Sequence, residues 1–150
     1  MMMTMTRALL ALGLAGTMAL GACDDGAGGD KTPVADPIEI AGTWTSQFGD
    51  TETISETHWS STYLAVEVVS FDNAANAAIT RNPADAQYDP GEYGKTVWTE
   101  PTGGAFYYCT AAYGLATAAE AEAAPVSAVD ANDVEGAGCG GFPWTKLTAP

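Results

Sequence analysis

The side chains that could carry acid–base chemistry include a single histidine. His58 is the only histidine among the 150 residues, and Ser60 and Ser61 follow it closely. A serine hydrolase needs a nucleophilic serine activated by a histidine, which a carboxylate orients in turn. The chain lacks the G-x-S-x-G pattern that marks the nucleophile of many such enzymes. We therefore expect His58 to be a half-exposed strand residue, and we predict no catalytic residue.

Paired carboxylates are a second route to catalysis, because two of them can hydrolyse a glycosidic bond. Successive side chains of a strand point to opposite faces, so Glu52 and Glu56 share a face if one strand carries both. We expect that face to contact solvent, and hydrolysis is therefore the third of three functions that the sequence suggests. The glutamates on predicted strands are Glu52, Glu56, Glu67 and Glu100.

Two acidic loops could offer oxygen ligands to calcium. The segment Asp130–Gly136 begins like an EF-hand loop, but Val134 occupies a ligand position and the glycine is displaced by one residue. Asp, Asn and Gly are also common turn residues, so we expect solvated loops. One histidine and no CxxC spacing do not suit zinc either. We predict no metal and no cofactor. The second acidic loop carries Asp85, Asp89 and Glu92.

The first 22 residues have the three parts of a secretory signal. Arg7 supplies a positive charge, an apolar stretch runs from Ala8 to Leu20, and the small residues Gly21 and Ala22 follow. The apolar stretch is shorter than the roughly 20 residues that a membrane-spanning helix needs. Residues 1–22 are therefore predicted to be a cleaved signal peptide.

The end of this segment, Leu20-Gly21-Ala22-Cys23, resembles the lipobox of bacterial lipoproteins. The resemblance implies cleavage before Cys23 and attachment of lipid, including fatty acids such as palmitate, to that cysteine. Two or three acyl chains hold a protein stably on a membrane. The expected location is the bacterial cell envelope, on the inner or the outer membrane, with the domain outside the cytoplasm. The alternative is an ordinary secretion signal in which Cys23 has no special role.

The mature chain is strongly acidic. The whole sequence has a net charge of −14, and loss of Arg7 with the signal brings the mature chain close to −15. A field of this sign repels phosphate backbones, which excludes nucleic acid as a partner. The expected partners are the membrane, through Cys23, and either a small apolar ligand or another envelope protein.

Two cysteines remain once Cys23 is assigned to the lipid. Cys109 and Cys139 form an even pair in a compartment that favours oxidation, so we predict a disulfide between them. In the chain-entropy model, closing a loop of about 30 residues stabilises the fold by roughly 3–4 kcal/mol. That is a large share of a net stability of about 5–15 kcal/mol.

Composition divides the mature chain into a tether and one domain. Residues 23–36 are small, acidic and glycine-rich, and they cannot bury apolar surface. We predict a flexible tether there and a folded domain over residues 37–150. The domain is predicted to be all-β: an antiparallel meander of about seven strands, curled as a barrel or half-barrel. The predicted strands span residues 38–48, 51–59, 62–71, 76–80, 95–100, 105–113 and 142–148.

One short helix is predicted before the last strand. Thr117 and Glu120 have the spacing of a capping box, an alanine-rich run follows, and Pro125 ends it. The helix is short and only weakly amphipathic, so we expect it on the surface.

The order of meander, helix and final strand is similar to that of lipocalins, and Gly42-Thr43-Trp44 resembles their G-x-W motif. The resemblance implies an eight-stranded barrel that the tryptophan closes at one end. It also implies an arginine of the last strand packed over that tryptophan, and a small hydrophobic ligand inside. Lys146 stands where the arginine is expected, and the folded part is shorter than a typical lipocalin.

The aromatic residues suit either a ligand cavity or a packed core. A small domain with few leucines and isoleucines needs aromatic side chains to fill its interior, and the core is the simpler interpretation. If several aromatic side chains instead face one cavity, they would bind an apolar ligand. The candidate ligand-binding residues are Trp44, Trp59, Trp98, Trp144 and Tyr108.

Together these features predict a lipid-anchored extracytoplasmic binding module without enzymatic activity. The alternative is a structural or protein-interaction lipoprotein of the envelope that has no ligand pocket. A cavity lined by indoles would favour the binding module, whereas a filled interior with an exposed apolar patch would favour the alternative. Two convergent carboxylates with raised pKa values would favour the hydrolase.

Overall fold

The structure is a computed structural model that describes residues 36–63 and 65–150. Ala35–Pro150 forms one compact unit. The predicted signal peptide, the lipidation site at Cys23 and the predicted tether up to residue 35 lie outside the described residues. Within the described part, no helix is both long and apolar enough to cross a bilayer.

The chain folds into a closed antiparallel barrel of eight strands. Each strand pairs with its neighbour in sequence, and the first strand also pairs with the last. The all-β meander predicted from the sequence is confirmed, and the barrel is fully closed. The strands are β1 (Gly42–Ser46), β2 (Thr51–Ile54), β3 (His58–Ser60), β4 (Ala65–Asp72), β5 (Ala77–Arg81), β6 (Tyr93–Trp98), β7 (Ala105–Leu115) and β8 (Thr145–Thr148).

The eighth strand comes from residues 51–59, which alternation predicts as one strand. A turn divides this segment into β2 and β3, because the Ser55 hydroxyl accepts hydrogen bonds from the backbone N–H groups of Thr57 and His58. The two strands then pair as a hairpin, with Ile54 opposite Trp59. The count of about seven strands therefore missed a turn that contains neither glycine nor proline.

The barrel interior is a packed apolar core. Alternation along each strand directs one set of side chains inward. Within the core, the rings of Trp44 and Phe106 meet edge to face, with 4.8 Å between their centroids. The largest fully buried side chains are Trp59, Phe106, Ile38, Ile40 and Leu147.

A β-bulge changes the phase of β4. The pairing with β5 shifts between Val68 and Ser70, and a bulge of this kind reorients the side chains that follow it. Phe71 consequently packs against the core, although strict alternation would place it with the exposed Val69.

The segment just before β1 closes one end of the barrel, which we call the closed end. Ile38 and Ile40 of this segment are buried in the core. The indole N–H of Trp44 donates to the carbonyl oxygen of Ile40 at 2.9 Å, and the indole N–H of Trp98 donates to the carboxylate of Glu39. Two tryptophans therefore hold the entering chain across the barrel.

The predicted helix, α1 (Ala118–Ala123), packs on the outer face of the sheet. Its capping box is formed as predicted, with Thr117 and Glu120 each accepting a hydrogen bond from the backbone of the other. The Lys95 ammonium group of β6 donates to the carbonyl oxygens of Glu122 and Ala124 at 2.9 and 3.1 Å. A cation at the C-terminal end of a helix is favourable.

The loop between α1 and β8 covers the outer face of β6 and β7. Cys109 of β7 is disulfide-bonded to Cys139 of this loop, with 5.7 Å between the Cα atoms, so the predicted bond is confirmed. Val97, Cys109 and Trp144 form a small buried cluster beneath the loop. Because this loop runs along the barrel wall, β8 starts at Thr145, three residues later than predicted.

Candidate ligand-binding site

A carboxylate lies inside the barrel. Glu52 is opposite Trp44 in the pairing of β1 with β2 and is 4% exposed. Its Oε2 atom accepts a hydrogen bond from the indole N–H of Trp59 at 2.7 Å, and its Oε1 atom accepts one from the phenol of Tyr108 at 3.1 Å. The rings of Trp59 and Tyr108 meet edge to face at 4.8 Å. Each carboxylate oxygen thus has one neutral donor.

The prediction that Glu52 and Glu56 share a solvent-facing side of one strand is wrong. Strand β2 ends at Ile54, and Glu56 is an exposed residue of the following turn. Glu52 points inward because it alternates with Thr53 and therefore shares the face of the buried Ile54.

Burial controls the ionisation of this carboxyl group. Desolvation raises the pKa of Glu52, because it disfavours the charged form. The hydrogen bonds from Trp59 and Tyr108 act in the opposite direction, and the negative charge of Asp50 raises the pKa further. Burial also raises the pKa of the Tyr108 phenol, as do the charge of Glu52 and the hydrogen bond to it. Tyr108 is therefore a neutral donor.

A small cavity, which we call the mouth cavity, adjoins this pair at the open end of the barrel, opposite the closed end. Its volume is about 70 Å³. Trp59 and Tyr108 lie in its wall, and Asn82, Tyr113 and Gly114 lie at its rim. The carboxylate of Glu52 is behind the wall and does not line the cavity. The other lining residues are Val66, Thr80, Tyr93, Gly94, Thr96 and Thr110.

Three threonines supply hydroxyl groups to the mouth cavity. Thr80 and Thr96 are 6% and 5% exposed, and Thr110 is opposite Thr96 in the sheet. Both side chains belong to the lining of the mouth cavity. Gly94 leaves room for them, since a Cβ atom there would lie 3.3 Å from Thr80 Oγ1 and 3.0 Å from the Ala112 carbonyl oxygen.

The five aromatic residues proposed to bind a ligand do not line one cavity. Trp144 belongs to the outer cluster with Cys109. Its neighbour Thr145 is opposite the inward-facing Tyr108, so the Trp144 indole points outward. Two of the other four, Trp59 and Tyr108, reach the mouth cavity. The four that belong to the inner core or pack against it are Trp44, Trp59, Trp98 and Tyr108.

The G-x-W residues lie at the closed end of the barrel, where the resemblance to lipocalins places them. Trp44 is held there by Ile40 and Phe106. The residue in place of the arginine does not cover it: Lys146 Nζ lies 5.5 Å from the centroid of the Tyr107 ring, and Tyr107 alternates with the inward-facing Phe106.

The candidate catalytic residues lie apart from one another. His58 is exposed, and its Nδ1 atom is 2.9 Å from the Thr57 hydroxyl. Glu67 and Glu100 are exposed, so Glu52 is the one glutamate of the four candidates that is buried. The arrangement brings no second candidate glutamate to the side of Glu52.

The carboxylates of the acidic loop at Asp130–Gly136 accept hydrogen bonds within local turns. Asp130 Oδ1 accepts from the backbone N–H of Asn132 at 2.8 Å, and Asp133 Oδ2 accepts from that of Ala137 at 2.9 Å. Over residues 36–63 and 65–150, no three His, Cys, Asp or Glu side chains are grouped so that they could hold a metal ion.

The sequence analysis did not single out Glu52 or the cavity threonines. A local signal existed for Glu52, because alternation in Thr51-Glu52-Thr53-Ile54 places the carboxylate on the apolar face. No comparable signal existed for Thr80 and Thr96, since threonine is common on both faces of a strand.

Comparisons of the chain with protein-family models, with curated proteins and with solved structures gave no match. The class of protein is therefore defined by its fold and its site: a small closed meander barrel with a cavity at one end and a buried carboxylate beside that cavity.

Proposed function

We propose that the chain is a lipid-anchored extracytoplasmic binding module whose ligand enters the open end of the barrel. The mouth cavity carries this proposal, because it is a concave, partly polar site positioned by a closed barrel. Cys23 supplies the anchor. The first described residues enter the barrel at the closed end, and the mouth cavity lies at the opposite end.

The mouth cavity can hold a small part of a ligand molecule. Its volume of about 70 Å³ is well below the roughly 300–1,000 Å³ of typical ligand pockets. The rest of the interior is filled by core side chains. A bound molecule would therefore insert a group of a few atoms, and its remainder would lie over the rim beside the exposed Tyr113.

Native mass spectrometry tests the proposal. Residues 31–150, exported to a bacterial periplasm and purified without detergent, should retain a mass that is lost on denaturation. Thr110→Leu, which fills the mouth, should abolish that mass. Thr53→Leu, at an exposed position of β2, should not. A bare wild-type chain under these conditions would count against the binding module.

A second candidate is a protein-interaction module without a small ligand. It is favoured by four exposed aromatic residues at the open end, and exposed apolar groups of this kind mark interaction surfaces. A photo-crosslinking amino acid at Tyr63 should then capture one specific envelope protein, whereas the same probe at Val69 on the barrel wall should not. The four residues are Phe48, Tyr63, Tyr88 and Tyr113, between 74% and 85% exposed.

A further inference from the structure

We infer that the mouth cavity binds a primary ammonium group carried on a slender alkyl chain. The inference rests on the proposed binding function and names the chemical class of its ligand. Three observations carry it: the size of the cavity, the hydroxyl groups that line it, and the buried carboxylate behind its wall.

The volume restricts the ligand to a narrow group. An apolar cavity of about 150 Å³ can hold benzene, and the mouth cavity has about 70 Å³. The mouth cavity has less than half the volume of the benzene site, which favours a slender group. An ammonium nitrogen with its first carbon atoms fits this space, whereas a ring does not.

The lining of the mouth cavity carries hydrogen-bond acceptors, which suit a ligand group that carries hydrogen-bond donors. An alkylammonium group has three N–H donors and no acceptor. Thr80 and Thr96 are 6% and 5% exposed and line the cavity, and Thr110 adds a third hydroxyl. A hydroxyl oxygen can accept a hydrogen bond, so this lining suits a ligand group that carries donors.

The charges around the cavity favour a cation. The described residues that line the cavity include no lysine, arginine or carboxylate side chain, but Glu52 is bonded to two side chains of the wall, Trp59 and Tyr108. The charged side chain that acts on Glu52 is Asp50, which is also acidic. A cation in the cavity would be attracted across a single layer of side chains, where screening by water is weak.

The aromatic rings of the wall and the carboxylates of the rim also favour a cation as the ligand. Donation from Trp59 and Tyr108 to a carboxylate raises the electron density of both rings, which strengthens their attraction for a cation. At the rim, the carboxylates of Asp89 and Glu92 lie 3.6 and 3.4 Å from the position that a Cβ atom of Gly114 would take. The guanidinium carbon of Arg81 lies 5.4 Å from the centroid of the ring of Tyr93, a lining residue, so one positive charge partly offsets these carboxylates.

The test is a titration monitored at the Trp59 indole N–H by nuclear magnetic resonance. The full chain, as purified from the expressing cells, is titrated at pH 8 with n-butylammonium, with neutral n-butanol and with anionic butyrate. Butylammonium should bind with a Kd of about 1 mM or tighter and shift the Trp59 signal, whereas butanol and butyrate should not. Equal binding of butanol would overturn the assignment of a cation and leave the binding module intact.

Substitutions test which side chains determine the affinity for butylammonium. Glu52→Gln should weaken butylammonium binding by about tenfold, because it removes the charge. Thr96→Val, which removes one acceptor at constant shape, should weaken it about fivefold. Glu67→Gln, on the exposed face of β4, is the matched control and should bind as the wild type does. Unchanged affinity in both Glu52→Gln and Thr96→Val would overturn the inference, as would no shift at Trp59 with any probe.

The same titration separates the two sources of such a group. Nα-acetyl-lysine amide represents a lysine side chain of a partner protein, and n-butylammonium represents a free amine. Tighter binding of the lysine derivative would assign the cavity to a partner's lysine, and tighter binding of butylammonium would assign it to a small amine. Either result supports the ammonium site.

Discussion

The indole N–H of Trp59 donates a 2.7 Å hydrogen bond to Oε2 of Glu52 inside the barrel. Both side chains are almost fully buried, at 1% and 4% exposed. A buried charge is costly unless it is paired and hydrogen-bonded. Here the carboxylate has two neutral donors, Trp59 and Tyr108, and the charged neighbour that acts on it is the acidic Asp50. Ionisation of Glu52 is therefore coupled to folding.

Replacement of Glu52 by glutamine should change the pH dependence of stability. Burial raises the pKa of Glu52 in the folded chain above its ordinary value of 4.5, so the folded state binds the proton more tightly than the unfolded state. The favourable contribution is complete below the unfolded-state pKa and is lost as the pH rises through the folded-state pKa. In urea unfolding between pH 4 and pH 8, the wild type should lose more stability with rising pH than Glu52→Gln does.

Glutamine suits this comparison because it can accept from Trp59 and donate to the oxygen of Tyr108. Glu67→Gln removes the same charge at an exposed position of β4, and it should follow the pH dependence of the wild type. If the Glu52→Gln and wild-type curves run parallel over the whole pH range, the carboxyl group is not coupled to folding as described.

Replacement of Tyr108 by phenylalanine should destabilise the fold most where Glu52 is ionised. The change leaves Oε1 of Glu52 without its donor, which costs about 1–3 kcal/mol for a buried group. The loss, measured by urea unfolding, should be larger at pH 8 than at pH 4. Tyr113→Phe, at an exposed residue of the same strand, should alter stability by less than about 0.5 kcal/mol. Equal losses at both pH values would contradict the role of the carboxylate.

Much of the fold could be predicted because its signals are local. Alternation in β4 and the capping box at Thr117 each act within a few residues. The eighth strand was missed because the turn after Ile54 depends on the hydroxyl of Ser55, which no composition rule marks. Closure of the barrel depends on pairing between residues about 100 positions apart, such as Thr45 with Thr148.

Less of the candidate site could be predicted, because its contacts depend on the register in which strands distant in sequence are arranged. Glu52 meets Tyr108 across the barrel, 56 positions away in sequence, and no local pattern encodes that contact. Trp144 could not be distinguished from the inner tryptophans, since each is followed by a hydroxyl residue. The disulfide loop turns Trp144 outward, and that orientation depends on where Cys139 attaches to the barrel wall.

Removal of the disulfide should weaken the domain without dismantling the barrel. The bond joins β7 to the long loop across 30 positions of sequence, so Cys109→Ala/Cys139→Ala should lower the free energy of unfolding by about 3–4 kcal/mol. The strands of the barrel pair independently of the bond, and far-ultraviolet circular dichroism should stay unchanged. If iodoacetamide alkylates both cysteines of native residues 31–150 without reductant, the bond is absent from the folded protein.

Replacement of Cys23 by serine should abolish the proposed lipid attachment, because serine lacks the sulfur atom that a lipobox cysteine offers for acylation. Cells grown with a labelled fatty acid should label the wild type and not Cys23→Ser, and the variant should accumulate as uncleaved precursor or leave the membrane fraction. The matched control is Cys109→Ala/Cys139→Ala, which retains Cys23 and should be labelled normally. Normal acylation and processing of Cys23→Ser would show that residues 20–23 do not act as a lipobox.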